Sequence, residues 1–230
     1  MQGILLVDKP AGWTSFDVVN YVRRIVATAE GKKPKHVKVG HTGTLDPFAT
    51  GLLVLLIGKD YTRRAGEFSK LDKTYDATMK LGFKSTTGDP EGEISPVSDK
   101  VPAGPELEAA LEKFKGEIQQ TPPAYSAIKV NGQRAYKLAR AGQEVVIEPR
   151  AVKINGLQLT DYVYPEVKFT TDVSSGTYVR TLVEDLGQAV QTGAYTTALR
   201  RTRVGNYQVA KAAEPKSLTV SNILPSLKTL

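Results

Sequence analysis

Cysteine is absent from the 230 residues. Without a thiol there can be no disulfide framework, no thiolate nucleophile and no zinc site built on sulfur. Histidine is scarce as well: His36 and His41 are the only two, which argues against an all-imidazole metal centre. The longest apolar run, Leu52 to Ile57, falls far short of the roughly 20 residues that span a bilayer. The N-terminal MQGILLVDKP has neither a basic n-region nor an extended apolar stretch, so it does not read as a secretory signal, and a cytoplasmic location is expected. No G-K-[ST] follows the glycines of residues 40–51, no G-x-G-x-x-G follows a strand, and no Ser-His-Asp set can be assembled. These absences leave chemistry that is cofactor-free or uses something the sequence does not announce.

What is present fits an ordinary globular chain, with 40% hydrophobic and 24% charged residues. The 31 Lys+Arg outnumber the 24 Asp+Glu, giving a formal net charge of +7. Such a surplus suits a polyanionic partner such as nucleic acid, although basic proteins without one are common.

The pattern predicts a buried strand over Ile4 to Val7, closed by a turn at Asp8-Lys9-Pro10. Ser15 is the expected N-cap of a helix whose Val18, Val19, Val22, Ile25 and Val26 follow helical spacing. A basic loop, EGKKPKHVK, comes next, then strands over Leu52 to Ile57 and Tyr75 to Leu81. Residues 84–104 read as loop, and Pro105 suits the first position of a helix through ELEAALEKF. Strands are expected at 144–159 and 165–174, a helix from about Thr177 to Gln191, and a basic segment at LRRTRVGNY. Without a regular β-α-β rhythm, this order favours an α+β fold with a mixed, largely antiparallel sheet flanked by helices. No linker divides the chain, so a single domain over 1–230 is expected.

Asp46, in HTGTLDPFATGLLVLL, can be read two ways. An Asp-Pro pair opens turns, with the carboxylate satisfying nearby amides. Alternatively, residues 41–51 form an active-site loop set against a rigid strand, and Asp46 is a nucleophile or base. A buried carboxylate then needs a cation to stay ionised. Arg180, in SSGTYVRTLVEDLG, lies beside the apolar face made by Val179, Leu182, Val183 and Leu186; it is either a surface arginine or a paired one, because a lone buried charge is expensive. Tyr75 is either a core ring with a wet hydroxyl or a stacking platform for a base, worth roughly 1–3 kcal/mol.

Taken together, the stretches GILLVDKPAGWTS, VGHTGTLDPFATGLL, DKTYDATMKLG, PPAYSAIKVNGQRAYKLARAG, SSGTYVRTLVEDLG and LRRTRVG resemble the TruB family of pseudouridine synthases, in order and over residues 3–207. The resemblance implies the pseudouridine synthase fold and conversion of uridine to pseudouridine at position 55 in the T-loop of tRNA, without cofactor or metal. It makes Asp46 the catalytic carboxylate, Arg180 its cationic partner and Tyr75 the ring that stacks on the base. His41 becomes a residue that holds the flipped-out loop, with Tyr178, Leu199 and Lys9 further substrate-binding residues. Residues 122–148 become a thumb that grips RNA. The implied partner is the tRNA T-arm, with no membrane and a monomeric enzyme. The chain departs from the family in carrying Ser85-Thr86-Thr87, with Asp89 further on, where Thr-Asp-Thr is usual. It also leaves too few residues after Tyr207 for the C-terminal PUA domain that many bacterial members append, so the fold is expected without it. A catalytically inactive tRNA-binding folding chaperone is the alternative from another class, and an RNA N-glycosidase is a third option.

Overall fold

A computed structural model describes residues 1–130 and 132–229. Asn131, which falls within the expected 122–148 thumb, and Leu230, the end of the expected 1–230 domain, lie outside the described residues. The chain resolves into two compact units, Met1–Tyr75 with Leu199–Leu230, and Asp76–Ala198.

The first unit opens with β1 (Gly3–Lys9), α1 (Ser15–Ala29), a 3-10 turn over Pro34–His36, β2 (Val39–His41) and β3 (Thr50–Ile57). Two short helices follow, α2 (Lys59–Thr62) and α3 (Ala65–Ser69), and then the start of β4 (Lys73–Leu81). β3 pairs antiparallel with β1 and β2. The apolar run after Asp46 is a strand with both faces covered, which explains why it does not alternate. Leu53, Leu55 and Ile57 pack with the α1 valines Val18, Val19, Val22 and Val26. Leu52, Val54 and Leu56 pack on the other side with Ile4, Leu6, Phe68 and Val204.

α1 starts where its spacing predicts, but its cap is Thr14, not Ser15. The Thr14 hydroxyl accepts from the Asp17 amide at 3.1 Å, while the Asp17 carboxylate accepts from the Thr14 amide at 2.8 Å. This reciprocal box outcompetes Ser15, whose hydroxyl is used elsewhere.

The second unit continues along β4, whose Ala77, Met79 and Leu81 are buried in alternation. Next come the hairpin β5 (Phe83–Ser85) and β6 (Ile94–Pro96), α4 (Gly104–Lys113) and β7 (Gly116–Gln120). The expected loop over 84–104 therefore contains a short hairpin. Within the expected thumb lie β8 (Lys129–Val130), β9 (Gln133–Arg134) and α5 (Ala135–Arg140). The long pair β10 (Arg150–Val163) and β11 (Glu166–Val173) is antiparallel, and β10 also pairs antiparallel with β7. The strand expected from 144 begins at Arg150, where its pairing with β7 starts; among the described residues, 144–149 pair with no strand. α6 (Val179–Ala189) buries Leu182, Val183 and Leu186, and α4 packs on both α6 and β10.

The sheet order in this unit is β12-β4-β11-β10-β7, where β12 (Ala194–Val204) contains the basic segment. The last residues of β12 return to the first unit, where they pair in parallel with β3 and antiparallel with β13 (Tyr207–Gln208). The expected α+β class with a mixed, largely antiparallel sheet is the class found. Among the described residues, no helix is long and apolar enough to cross a membrane.

Candidate active site

The loop between β2 and β3 carries Asp46, and the sequence around it folds so that this loop is held from three directions. Ser15, buried at the start of α1, accepts from the Leu45 amide at 2.8 Å and donates to the Leu45 carbonyl at 3.1 Å. Lys9, the last residue of β1, is fully buried. Its ammonium donates to the carbonyls of Pro10 (3.0 Å), Trp13 (2.6 Å) and Pro47 (3.1 Å). The Gly12 amide also donates to Pro47, at 2.9 Å. Asp46 itself closes a turn, its carbonyl accepting from the Ala49 amide at 3.1 Å, and its side chain is half-buried.

The third hold is Arg201 on β12. Its side chain is 2% exposed. Nε donates to the Leu52 carbonyl at 2.7 Å, Nη2 to Gly43 at 3.0 Å and Nη1 to Thr44 at 3.4 Å. Nη1 also lies 3.5 Å from the Tyr75 hydroxyl, with the guanidinium 6.0 Å from the ring centroid. Every one of these partners is neutral.

The strand register explains how two buried cations come to flank one loop. Gly51 of β3 pairs with Lys9 on one side and with Arg201 on the other. Gly51 has φ +103°, and a Cβ there would sit 2.3 Å from the Arg201 carbonyl oxygen; only glycine lets β12 approach this closely. From either side of that glycine, Lys9 reaches Pro47 and Arg201 reaches Gly43 and Thr44, so the backbone on both sides of Asp46 is fixed.

The field of Arg201 shows in its neighbours. Lys73, at the start of β4, donates to the carbonyls of Ser69 (2.6 Å) and Leu71 (2.5 Å). Burial, and then the Arg201 charge, pull its pKa down to about 8. His41 is pulled below its ordinary value by burial and then by Arg201, and its Nδ1 is buried without a hydrogen-bond partner. His41 is thereby held neutral near pH 7, with one nitrogen uncommitted. Tyr75 and Leu199, each 8% exposed, belong to the same unit.

Arg180 and Tyr178 belong to the other unit. Tyr178 caps α6 without a side-chain cap; instead Gln120 clasps its backbone, accepting from the amide at 2.8 Å and donating to the carbonyl at 3.1 Å. The Arg150 guanidinium lies over the Tyr178 ring at 5.3 Å. Arg180 is 3% exposed and pairs with Asp89 at 3.2 Å, while donating to the carbonyls of Thr87 (2.7 Å) and Tyr125 (2.8 Å). The sequence departure at residues 85–89 thus supplies Arg180 with a carboxylate.

Sequence reasoning did not single out Arg201, although a signal for it exists. Arg200 and Arg201 are adjacent in a strand, so their side chains point to opposite faces and one must turn inward. Arg200, the outward one, makes a bidentate pair with Asp8 at 2.6 and 3.1 Å.

Comparison with known proteins agrees with this architecture. Residues 30–179 match the family model described as TruB family pseudouridylate synthase (N terminal domain), and residues 180–224 match the tRNA pseudouridylate synthase B C-terminal domain. The tRNA pseudouridine synthase B of Burkholderia mallei (strain NCTC 10247) is 46% identical over 205 residues, covering 89% of this chain and 65% of that protein. That of Bacteroides fragilis (strain YCH46) is 45% identical over 213 residues, covering 92% and 90%. The chain thus spans just under two thirds of the Burkholderia relative. Among solved structures, a Cbf5-Nop10-Gar1 complex matches with a TM-score of 0.71 at 28% identity, over 95% of this chain and 54% of that one. An H/ACA RNP bound to a substrate RNA containing 2′-deoxyuridine matches at 0.68 and 25% identity, over 95% and 52%.

Proposed function

We propose that this chain, which belongs to the TruB family of pseudouridylate synthases, isomerises a uridine of tRNA to pseudouridine, with position 55 of the T-loop as its target. The observation that carries this reading is the fixed loop around Asp46: a single carboxylate on a backbone held by Ser15, Lys9 and Arg201, in the same unit as a buried tyrosine and a neutral histidine.

In this reading the target uridine leaves its stack, at a cost of a few kcal/mol. Tyr75 stacks on the extruded ring, and His41, Tyr178 and Leu199 contact the opened loop. Basic residues of the 122–148 thumb and of the 32–38 loop grip phosphates. Asp46 promotes cleavage of the N1–C1′ bond, either by attacking C1′ or by taking a proton from the sugar. The base stays in the site and turns, C5 bonds to C1′, the C5 proton is lost and N1 gains one, so no atom enters or leaves overall. Glycosidases deploy two carboxyl groups because water must be delivered to the sugar; an isomerase that keeps its leaving group can work with one. Arg180 is assigned as the cation that serves this carboxylate. Lys9, being fully buried, acts on substrate through the loop it holds.

Tritium release from a T-loop transcript carrying [5-³H]uridine tests the reading. Wild type releases tritium without free uracil, and Asp46→Asn releases none. Free uracil would make the protein an N-glycosidase, and tight tRNA binding with no release would make it a folding chaperone. Release by Asp46→Asn would remove Asp46 from the chemistry.

A further inference from the structure

Beside α1 the chain carries several cations that it leaves unanswered. An open cavity of about 540 Å³ lies between α1 and the segment 34–39. Asn20, Arg23, Arg24, Lys35 and Lys38 supply its polar lining, and no carboxylate lines it. Arg23 is fixed in place, with Nη1 donating to Asn20 Oδ1 at 2.6 Å and Nη2 to the Val39 carbonyl at 3.2 Å. Arg24, Lys35 and Lys38 are exposed, and their side chains make no hydrogen bond or ion pair among the described residues. Lys32, by contrast, is taken up by Glu30 at 2.8 Å. Three free cations and one oriented guanidinium around an acid-free concavity create a positive potential that favours a bound anion.

The ligand is more than a small anion, because a second depression of about 400 Å³ adjoins the first and shares Asn20 and Arg24 with it. Trp13 and Tyr21 line this second depression, edge to face with centroids 5.6 Å apart. Its one acid, Asp17, is committed to capping α1 through Thr14. Cations beside aromatic faces match a nucleic-acid strand, whose phosphates and bases alternate along the chain. The cavity wall also runs directly into the candidate site: Val39 lines it and begins β2, which ends at His41, roughly 7 Å further along an extended strand.

We propose that this cavity is a second anchoring site for RNA, holding consecutive backbone phosphates of the strand that leads to the target base, with Trp13 and Tyr21 facing a neighbouring base. The identity of the RNA as substrate rests on the function proposed above.

Two measurements on the full chain test it. The first is tRNA affinity as a function of salt, by fluorescence anisotropy, for wild type and for Arg24→Ala/Lys35→Ala/Lys38→Ala. Each neutralised phosphate contributes roughly 0.7–0.9 to the slope of log affinity against log salt, so the variant loses about two from the slope and binds at least about tenfold more weakly at low salt. An unchanged thermal midpoint shows that the variant is folded. An unchanged slope and affinity overturn the proposal. The second uses wild type alone: tRNA protects Lys35 and Lys38 from acylation, whereas polyglutamate of similar length does not. Equal reactivity with and without tRNA overturns the site, and equal protection by polyglutamate overturns its assignment to RNA. Pseudouridine is assayed separately, so a wild type that makes none while these lysines are protected defeats the proposed function and leaves this site standing.

Discussion

Each unit buries an arginine almost completely, Arg180 at 3% exposure and Arg201 at 2%, yet the two are neutralised differently. Arg180 has a buried carboxylate, Asp89, together with two carbonyls. Arg201 has carbonyls and a tyrosine hydroxyl only. A carboxylate partner offsets part of a buried arginine's charge, whereas carbonyl and hydroxyl dipoles solvate the charge without cancelling it. Both charges reach their neighbours: Arg201 adds to the burial that depresses Lys73 and His41, and Arg180 works against the burial that raises Glu184. The first arginine thus has a carboxylate within its own unit, whereas the second sits among neutral groups beneath the loop that carries Asp46.

The largest expected effect separates these roles. Arg180→Met leaves Asp89 as an unpaired buried charge and costs about 3–5 kcal/mol of stability. Adding Asp89→Asn recovers part of that loss, as a double-mutant cycle by chemical denaturation will show. Arg201→Met leaves no carboxylate behind, so it costs less, about 1–3 kcal/mol from carbonyls that lose their donor. Its main effect is on turnover, because Gly43 and Thr44 are released; single-turnover assays with saturating tRNA should show a rate reduced about 100-fold, the scale expected from small misplacements of reacting groups. If Arg201→Met is the more destabilising of the two, the contrast is wrong.

A third prediction uses pH. Lys73 has a folded pKa of about 8, below its unfolded value. Between that pH and about 10.4 the unfolded chain binds a proton that the folded chain lacks, so stability rises with pH across this window, by roughly 1–3 kcal/mol. Below pH 8 the penalty is fully present. Denaturation at pH 7.5 and 10 should show the rise in wild type and a loss of that increment in Lys73→Met. In Arg201→Met the rise should begin at higher pH, because one of the two causes of the depression is gone.

A smaller effect is that of Ser15→Ala, about 1–2 kcal/mol for two buried hydrogen bonds to Leu45. Replacing Thr14, the true cap, should weaken α1 by about 1 kcal/mol without loosening the loop. Thermal midpoints and single-turnover rates on the same pair of variants distinguish the two adjacent hydroxyls.

Much of this is legible in the sequence. The valines of α1 and the run Leu52 to Ile57 announce a helix packed on a doubly buried strand, and the fold class follows from element order. What sequence reasoning could not reach depends on pairings distant in the chain. Thr14 and Ser15 are equally good caps until Leu45 claims one hydroxyl. The apolar Val145, Val146 and Ile147 before Arg150 look like strand but, among the described residues, find no partner. Lys9, expected in the turn after the first strand, instead ends β1, and the register that sets it opposite Gly51 buries it beneath the loop. The same register, on the other side of the same glycine, makes Arg201 the residue that matters in LRRTRVG.

The most direct test of the account is nucleoside analysis of tRNA after a single turnover with enzyme in excess. Wild type should convert one uridine per molecule, at position 55, while Asp46→Asn binds the tRNA equally well and converts none. Conversion by Asp46→Asn within tenfold of the wild-type rate, or none by wild type, would contradict it.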